Sequence, residues 1–252
     1  MSRVWLIAVP FVFAPIADAD EGTLTIAVAG NFAQPARELI THYEESTGHT
    51  IRVTTASTGK LYAQIINGAP FDILLAADSE RPRLLEESGA GVAGTRFTYA
   101  IGGLVLWSRD RALAGSDCKD QLGKLGNKKL AIANPLTAPY GLAARQTLQA
   151  EGLWTNVQGS LVFGENISQT LHFVVSGNAT LGFVAASQAA DSRLPDATCT
   201  WQVPKSMHAP IQQQAILLGS AAADETAVDF MGYLRGSIAA EIIAAHGYEI
   251  PQ

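Results

Sequence analysis

The sequence predicts an α/β protein built from two interleaved, doubly wound lobes that are joined by a hinge. Short apolar, strand-like runs alternate with stretches of helical periodicity along most of the chain, which is the pattern of successive βαβ units in a parallel sheet. No internal repeat or low-complexity linker interrupts this pattern. With 252 residues, of which 48% are apolar, the chain can bury one large core or two smaller ones.

The first part of the chain contains three strand–helix units. Each strand run is apolar, and the third is continuously so, as expected of a buried parallel strand. Each helical stretch is followed by a glycine that can end it, at Gly48, Gly68 and Gly89. Strands are predicted at residues 24–28, 51–56 and 71–76, and helices at residues 32–46, 60–67 and 78–88.

A second series begins with one long apolar strand at residues 101–108. A polar, proline-containing loop is predicted at residues 192–210, and two alanine-rich helices close the chain, with Ser220 and Ser237 as their caps. Further strands are predicted at residues 129–133, 160–163, 181–185 and 214–218, and further helices at residues 141–151 and 167–176.

The lobes are expected to interleave in the sequence. We place lobe one at residues 20–101 plus 206–252 and lobe two at residues 102–205. The chain then crosses between the lobes twice, and a cleft between hinged lobes can close around a ligand. In open parallel sheets the ligand lies beyond the carboxyl ends of the strands.

The charge balance argues against a nucleic-acid partner. The formal net charge is −6, with only 17 Lys and Arg residues, whereas nucleic-acid binding needs clustered cations. An acidic protein can still bind an anion, but through local hydrogen-bond donors and not through its overall field.

The N-terminus predicts export to the periplasm. Arg3 supplies a positive charge, residues 4–16 are apolar, and residues 17–19 form a small-residue cleavage site, so residues 1–19 are predicted to be a signal peptide. The apolar run is shorter than the roughly 20 residues that a membrane span needs. An uncleaved membrane anchor is the alternative.

The two cysteines, Cys118 and Cys199, are predicted to form a disulfide. Exported proteins commonly pair their cysteines, and neither residue belongs to a CxxC motif of the kind used for metal or redox chemistry. Two free, buried thiols are the alternative.

Two turns in the first lobe are predicted to bind an anion. Gly30 and Asn31 follow the first strand, while Ser57 and Thr58 follow the second, and each turn opens a helix. The start of a helix presents free main-chain N–H groups and partial positive charge. The Asn31 amide and the Thr58 hydroxyl would add side-chain donors, with Ser57 as a near alternative, although either turn alone could simply cap its helix.

Two further turns of the same kind occur in the second lobe. Tyr140 and Gly141 follow a proline at the start of one helix, and Asn166 and Ile167 start the next. Each turn is a weak signal by itself. Two turns from each lobe are the arrangement expected of a clamp across a cleft.

An enzyme is the contrasting hypothesis. A secreted hydrolase or transferase could use Asp72, Asp78 or His172 for acid–base chemistry, but the sequence contains no nucleophile–base motif. Metal-binding HExxH spacing is also absent, and no cofactor is predicted. We therefore expect a binding protein.

Several segments resemble the periplasmic molybdate-binding proteins of ABC importers, in the same order and over essentially the whole mature chain. The resemblance implies the fold of periplasmic solute-binding proteins, in which a tetrahedral oxyanion is held between the lobes by hydroxyls and main-chain N–H groups. The segments that carry it are residues 27–32, 56–65, 68–78, 96–102, 138–143, 181–184 and 246–248.

By position, the resemblance implies that Asn31, Thr58, Tyr140 and Ile167 bind the oxyanion. Better-known members of the family have Ser where this chain has Asn31. A variant branch of the family has Asn at this position, as this chain does. The chain departs from its relatives at two positions: Gly30 replaces a Thr of that branch, and Ala185 replaces a hydroxyl-donating Tyr of some members.

The resemblance implies a monomeric protein that captures molybdate or tungstate and hands it to the membrane permease of an ABC importer. Because two side-chain donors are missing, the same fold could instead bind another oxyanion, an organic acid or a metal complex. The site would then be wider, filled with water, or adapted to that ligand.

Overall fold

The computed structural model describes residues 23–251. It contains two five-stranded sheets with helices packed around them, which confirms the predicted α/β class and its division between two sheets. The predicted signal peptide at residues 1–19 lies outside the described residues.

The described residues form strands and helices in the following order. The strands are β1 Thr23–Ala29, β2 Thr50–Ala56, β3 Ile73–Ala76, β4 Phe97–Gly102, β5 Leu104–Ser108, β6 Leu130–Ala133, β7 Leu161–Gly164, β8 Leu181–Ala185, β9 Cys199–Gln202 and β10 Ile211–Leu217. The helices are α1 Ala33–Thr47, α2 Thr58–Ile66, α3 Glu80–Ser88, α4 Pro139–Ala150, α5 Trp154–Val157, α6 Ile167–Val175, α7 Ala186–Ala189, α8 Glu225–Leu234 and α9 Ser237–Ala245. Short 3-10 helices lie at Gly30–Phe32, Arg111–Leu113, Lys119–Lys124, Gln158–Ser160, Lys205–Met207 and Gly219–Ala221.

The first sheet has the strand order β2-β1-β3-β10-β4. Strands β1, β2 and β3 are parallel, whereas β10 runs antiparallel to both of its neighbours. The sheet is therefore mixed and not wholly parallel. We call this sheet and its helices the first lobe.

The second sheet has the order β7-β6-β8-β5-β9. Strand β6 is parallel to β7 and β8, and β5 is antiparallel to β8 and β9. We call this sheet and its helices the second lobe. In each lobe a parallel pair, β1–β2 or β6–β7, ends on the side that faces the other lobe.

One apolar cluster crosses from one lobe to the other. Ala29 and Ala77, which lie at the carboxyl ends of β1 and β3, belong to the same buried cluster as Ala138, Tyr140 and Ile167 of the second lobe. The first lobe also has a cluster on each face of its sheet, and the second lobe has another on the face opposite the shared cluster. The carboxyl ends of the strands in the two lobes are therefore in direct contact.

The prediction of one long strand at residues 101–108 is wrong. The run contains the end of β4 and all of β5, which belong to different sheets. The break falls between Gly102 and Leu104. A side chain at Gly102 would collide with the hydroxyl of Tyr140, so glycine allows the crossing chain to pass close to the second lobe.

The predicted loop at residues 192–210 contains a strand that the sequence analysis missed. Strand β9 pairs with β5 and begins at Cys199, which forms a disulfide with Cys118. The disulfide prediction is therefore confirmed. A four-residue strand has no strong pattern of its own, and its place at the sheet edge depends on pairing and on this cross-link.

The predicted caps of the last two helices are wrong. Asp224 caps α8, because its carboxylate accepts a hydrogen bond from Ala227 N–H at 3.1 Å. The hydroxyl of Ser220 instead donates to the carbonyl oxygen of Phe71. The residue before α9 is Gly236, so Ser237 is already the first helical residue.

A helix that spans a membrane must be about 20 residues long and predominantly apolar. Among residues 23–251, no helix meets both requirements.

We expect Gly141→Ala to destabilise the protein. A Cβ at this position would collide with the carbonyl group of Ala133, which belongs to the backbone of β6 and cannot move aside as a side chain could. Overpacking of this kind costs about 1–3 kcal/mol, measurable as a lower urea midpoint. Gly159→Ala is the matched control, because nothing lies within 4 Å of its added Cβ; equal midpoints for the two variants would contradict the prediction.

Candidate functional site

A small cleft lies between the lobes. It is situated at the carboxyl ends of β1, β2, β6 and β7, where each strand leads into a helix. None of the residues that line it carries a formal charge at neutral pH. They are Ala29, Gly30, Asn31, Ser57, Thr58, Ala77, Ala138, Pro139, Tyr140, Asn166 and Ile167.

The cleft brings together seven of the eight residues that the sequence predicted for the site. The exception is Gly141, which is not part of the lining. Its N–H donates to the carbonyl oxygen of Ala138 at 2.9 Å, so it is not free for a ligand. Its role is to let α4 pack closely against the backbone of β6.

The first turn places Asn31 in the 3-10 helix that leads from β1 into α1. As the second residue of that helix, it has a main-chain N–H without an intrahelical partner. Its side-chain amide was predicted to donate to an anion, but the structure engages it elsewhere. Nδ2 donates to Gln213 Oε1 and to Tyr248 Oη, both at 2.9 Å.

The second turn supplies two buried hydroxyls between β2 and α2. The Oγ atom of Ser57 has no hydrogen-bond partner among the described residues, although the residue is only 3% exposed. Thr58 Oγ1 accepts a hydrogen bond from Ala77 N–H at 3.0 Å, which leaves its own hydrogen available. A buried hydroxyl without a partner is costly, so Ser57 is the side chain with the strongest need for a ligand.

The second lobe adds two helix N-termini. Tyr140 lies in the first turn of α4, after Pro139, and Ile167 is the first residue of α6. Within the described residues, the main-chain N–H groups of Thr58, Tyr140 and Ile167 donate to no protein acceptor. Asn166 holds its turn in place, because its Oδ1 accepts from Gln169 N–H at 2.9 Å.

Polar contacts join the lobes on several sides of the cleft. Gly59 N–H donates to the carbonyl oxygen of Thr137 at 2.8 Å, and the Ser168 hydroxyl donates to the carbonyl oxygen of Gly30 at 3.0 Å. Lys60 forms an ion pair with Glu165 at 2.9 Å. The structure therefore shows a closed arrangement, in which the lobes touch on several sides of the site.

The departures from the family pattern fall in different places. A Cβ at Gly30 would lie 3.2 Å from Ser168 Oγ and 3.6 Å from Asn166 Cγ, so a side chain there would crowd the contact between the lobes. Ala185 is fully buried before α7 and does not belong to the lining of the cleft. Only the first departure therefore touches the wall of the site.

Two tyrosine hydroxyls next to the site remain neutral over a wide pH range. Burial raises the pKa of Tyr248 to about 12, although hydrogen bonds from Ser187 and Asn31 partly offset this effect. Burial also raises the pKa of Tyr140 well above its usual value. The lining of the cleft therefore keeps the same charge at neutral and mildly alkaline pH.

The residues of the contrasting enzyme hypothesis are engaged elsewhere. Asp72 lies at the amino end of β3 and accepts a hydrogen bond from Thr25 N–H at 2.7 Å, on the side of the sheet away from the cleft. Asp78 is paired with Arg81 at 3.0 Å, and His172 is exposed on α6. Residues 23–251 also contain no group of three or more His, Cys, Asp or Glu residues that could hold a metal ion.

Sequence reasoning missed some residues around the site. Ala77 follows β3 just as Asn31 follows β1, so the strand-end signal could have identified it. Gln213, Tyr248 and Ser187, which lie behind the cleft, had no such signal. They are distant in sequence from the turns that they contact.

The fold and the cleft are those of a two-lobed protein that binds a small solute. Comparison with known families places residues 24–249 in the family described as bacterial extracellular solute-binding protein. This match spans most of the chain, and the protein belongs to that family.

Its relatives include molybdate-binding proteins. The chain is 43% identical over 231 residues to the molybdate-binding protein ModA of Azotobacter vinelandii, with 91% of each chain covered. It is 41% identical over 230 residues to ModA of Rhodobacter capsulatus, with 91% of this chain and 89% of that protein covered.

Solved structures show the same fold. The periplasmic molybdate-binding protein of Azotobacter vinelandii matches with a TM-score of 0.85 and 37% identity, over 91% of this chain and all of that chain. The sulfate-binding protein SubI of Mycobacterium tuberculosis matches with a TM-score of 0.69 over 90% of this chain and 86% of that chain. At 11% identity, the second match shows a shared fold only.

We expect stability to fall as the pH rises above about 10. The pKa values of Tyr43, Tyr99, Tyr140 and Tyr248 are all raised by burial above the ordinary value of 10.0. Above pH 10 the unfolded chain releases protons that the folded protein keeps, which favours unfolding by up to about 1.4 kcal/mol per pH unit for each tyrosine. Urea unfolding at pH 8, 10 and 11 measures the loss; equal free energies of unfolding at the three pH values would contradict it.

Proposed function

We propose that this protein captures molybdate in the cleft between its lobes and delivers it to the membrane permease of an ABC importer. The observation that carries the proposal is the buried Ser57 hydroxyl, which has no protein partner and lies among helix N-termini from both lobes. The role is one of binding and transfer, without catalysis.

The donors around the cleft fit a small tetrahedral anion. Main-chain N–H groups of Asn31, Thr58, Tyr140 and Ile167 and the hydroxyls of Ser57 and Thr58 lie on several sides of one small space. Hydrogen bonds to a charged group contribute about 1.5–3 kcal/mol each. Six of them can replace the hydration of a dianion, and the N-termini of four helices add favourable partial charge.

The absence of charged side chains from the lining favours selection by shape and protonation state. A cationic side chain would attract any anion, whereas fixed neutral donors favour an anion whose oxygens reach all of the donors at once. Ions that carry a proton, such as hydrogen phosphate, would need an acceptor for it. Main-chain N–H groups, which supply four of the six donors, cannot accept it, so a fully deprotonated oxyanion is the best partner.

The relatives support the choice of molybdate. Two proteins above 40% identity, covered over most of their length, are molybdate-binding proteins, and a solved structure of such a protein shares the fold. We include tungstate in the proposal, because it has the same charge and tetrahedral shape.

We infer that residues 1–19 direct export to the periplasm, that the mature protein is a monomer, and that it does not bind nucleic acid. We also propose that the lobes move about the crossings after β4 and after β9, which would keep lobe one at residues 20–101 plus 206–252 and lobe two at residues 102–205.

An anion panel tests the proposed ligand. We expect micromolar molybdate or tungstate to raise the melting temperature of the purified mature protein, because a ligand that binds only the folded state stabilises it. Sulfate and phosphate at the same concentration should have little effect. Equal shifts for all four anions, or no shift at all, would contradict the proposal.

The variant Ser57→Ala separates binding from folding. Removing a buried hydroxyl that lacks a protein partner should leave the stability of the free protein unchanged or slightly higher. Molybdate affinity should fall by about tenfold to a hundredfold, the value of one hydrogen bond to a charged group. Calorimetric titration and urea unfolding measure the two effects.

Ser116→Ala provides a matched control for that variant. Ser116 is a half-buried serine of the second lobe whose hydroxyl bonds to the carbonyl oxygen of Leu113. This change should cost some stability and leave molybdate affinity as in the wild type. If Ser57→Ala binds molybdate as tightly as Ser116→Ala, Ser57 is not a ligand.

A further inference from the structure

A connected set of buried polar side chains lies behind the cleft. The Tyr248 hydroxyl donates to the carbonyl oxygen of Asn31 at 2.9 Å and accepts from Asn31 Nδ2 at 2.9 Å. It also accepts from the hydroxyl of Ser187 at 3.0 Å. One hydroxyl therefore fixes both the backbone and the side chain of Asn31 while it contacts the second lobe.

A second, weaker connection between the lobes runs through Gln213, beside the one made by Tyr248. Gln213 on β10 accepts from Asn31 Nδ2 through Oε1, and its Nε2 lies 3.4 Å from the hydroxyl of Tyr140. Asn31 and Gln213 belong to the first lobe, whereas Tyr140 and Ser187 belong to the second. These residues and Tyr248 are all less than 9% exposed, so water cannot readily replace the bonds.

Tyr248 is anchored where the chain crosses between the lobes. The next residue, Glu249, pairs with Ile101 of β4 through two main-chain hydrogen bonds of 2.8 and 3.1 Å. The ring of Tyr248 packs edge-on against Phe32, with centroids 5.4 Å apart. The hydroxyl is thus held by the first lobe at the hinge and directed toward Ser187.

We propose that Tyr248 is a positioning residue that couples closure of the lobes to the shape of the anion site. When the lobes close, Ser187 reaches Tyr248, and the same hydroxyl holds Asn31 so that its main-chain N–H faces the cleft. When they open, the bond to Ser187 is lost, and the turn at Asn31 is held less firmly. Tyr248 contributes no atom to the cleft lining.

This inference rests on the proposed binding of molybdate, and the test compares four variants. Tyr248→Phe removes the hydroxyl, Ser187→Ala removes the inter-lobe partner, and the third variant carries both changes. Tyr43→Phe is the control, because this buried hydroxyl bonds to Asp229 within the first lobe, away from the cleft. Calorimetry gives the molybdate affinity, and stopped-flow displacement gives the dissociation rate.

We expect Tyr248→Phe to weaken molybdate binding about tenfold or more, mainly through faster dissociation. Ser187→Ala should weaken it less, and the double variant should bind about as weakly as Tyr248→Phe, because both changes remove the same inter-lobe bond. A purely structural role within the first lobe would not produce this coupling. Tyr43→Phe should lose stability but keep its affinity.

Two results would overturn the inference. Either Tyr248→Phe binds molybdate as tightly as Tyr43→Phe, or the effects of Tyr248→Phe and Ser187→Ala simply add. A wild-type protein that does not bind molybdate would instead overturn the proposed function. The proposed role of Tyr248 is then decided by small-angle scattering of the ligand-free proteins, where equal curves for Tyr248→Phe and Tyr43→Phe would overturn it.

Discussion

The whole site depends on unpaired main-chain N–H groups at the ends of parallel strands. A strand that leads directly into a helix leaves the first N–H groups of that helix without intrahelical acceptors. The β1–β2 and β6–β7 pairs each present two such helix starts at one edge of a sheet. When the two edges face each other, the unpaired donors surround one small space, and an anion can satisfy them all.

The strand-end turns could be predicted because their signal is local. Asn31, Thr58, Tyr140 and Ile167 each follow an apolar run and precede a helical one, and the structure places all four in the cleft lining. The network behind the cleft could not be predicted this way. Gln213 and Tyr248 reach Asn31 from positions 182 and 217 residues further along the chain, and nothing in their own surroundings indicates that contact.

The wrong predictions about the fold have the same origin as the missed contacts. The break between β4 and β5 interrupts an apolar run that reads as one strand, and only the close approach of Tyr140 explains why Gly102 is needed there. Strand β9 is short and partly exposed, so pairing with β5 and the Cys118–Cys199 disulfide define it. Periodicity predicts elements that are amphipathic or apolar by themselves, and it misses those that tertiary contacts create.

Neutral donors suit the proposed movement of the lobes about a hinge. A permanent cation in the cleft would hold an anion strongly in the open state as well, which would slow its release. Donors divided between two lobes bind well only when the lobes are closed, because the first lobe supplies four of the six proposed donors and the second lobe supplies two. In the role proposed for Tyr248, its contact with Ser187 forms on closure and lies outside the cleft. Such a contact adjusts the strength of binding without adding a positive charge that would attract every other anion as well.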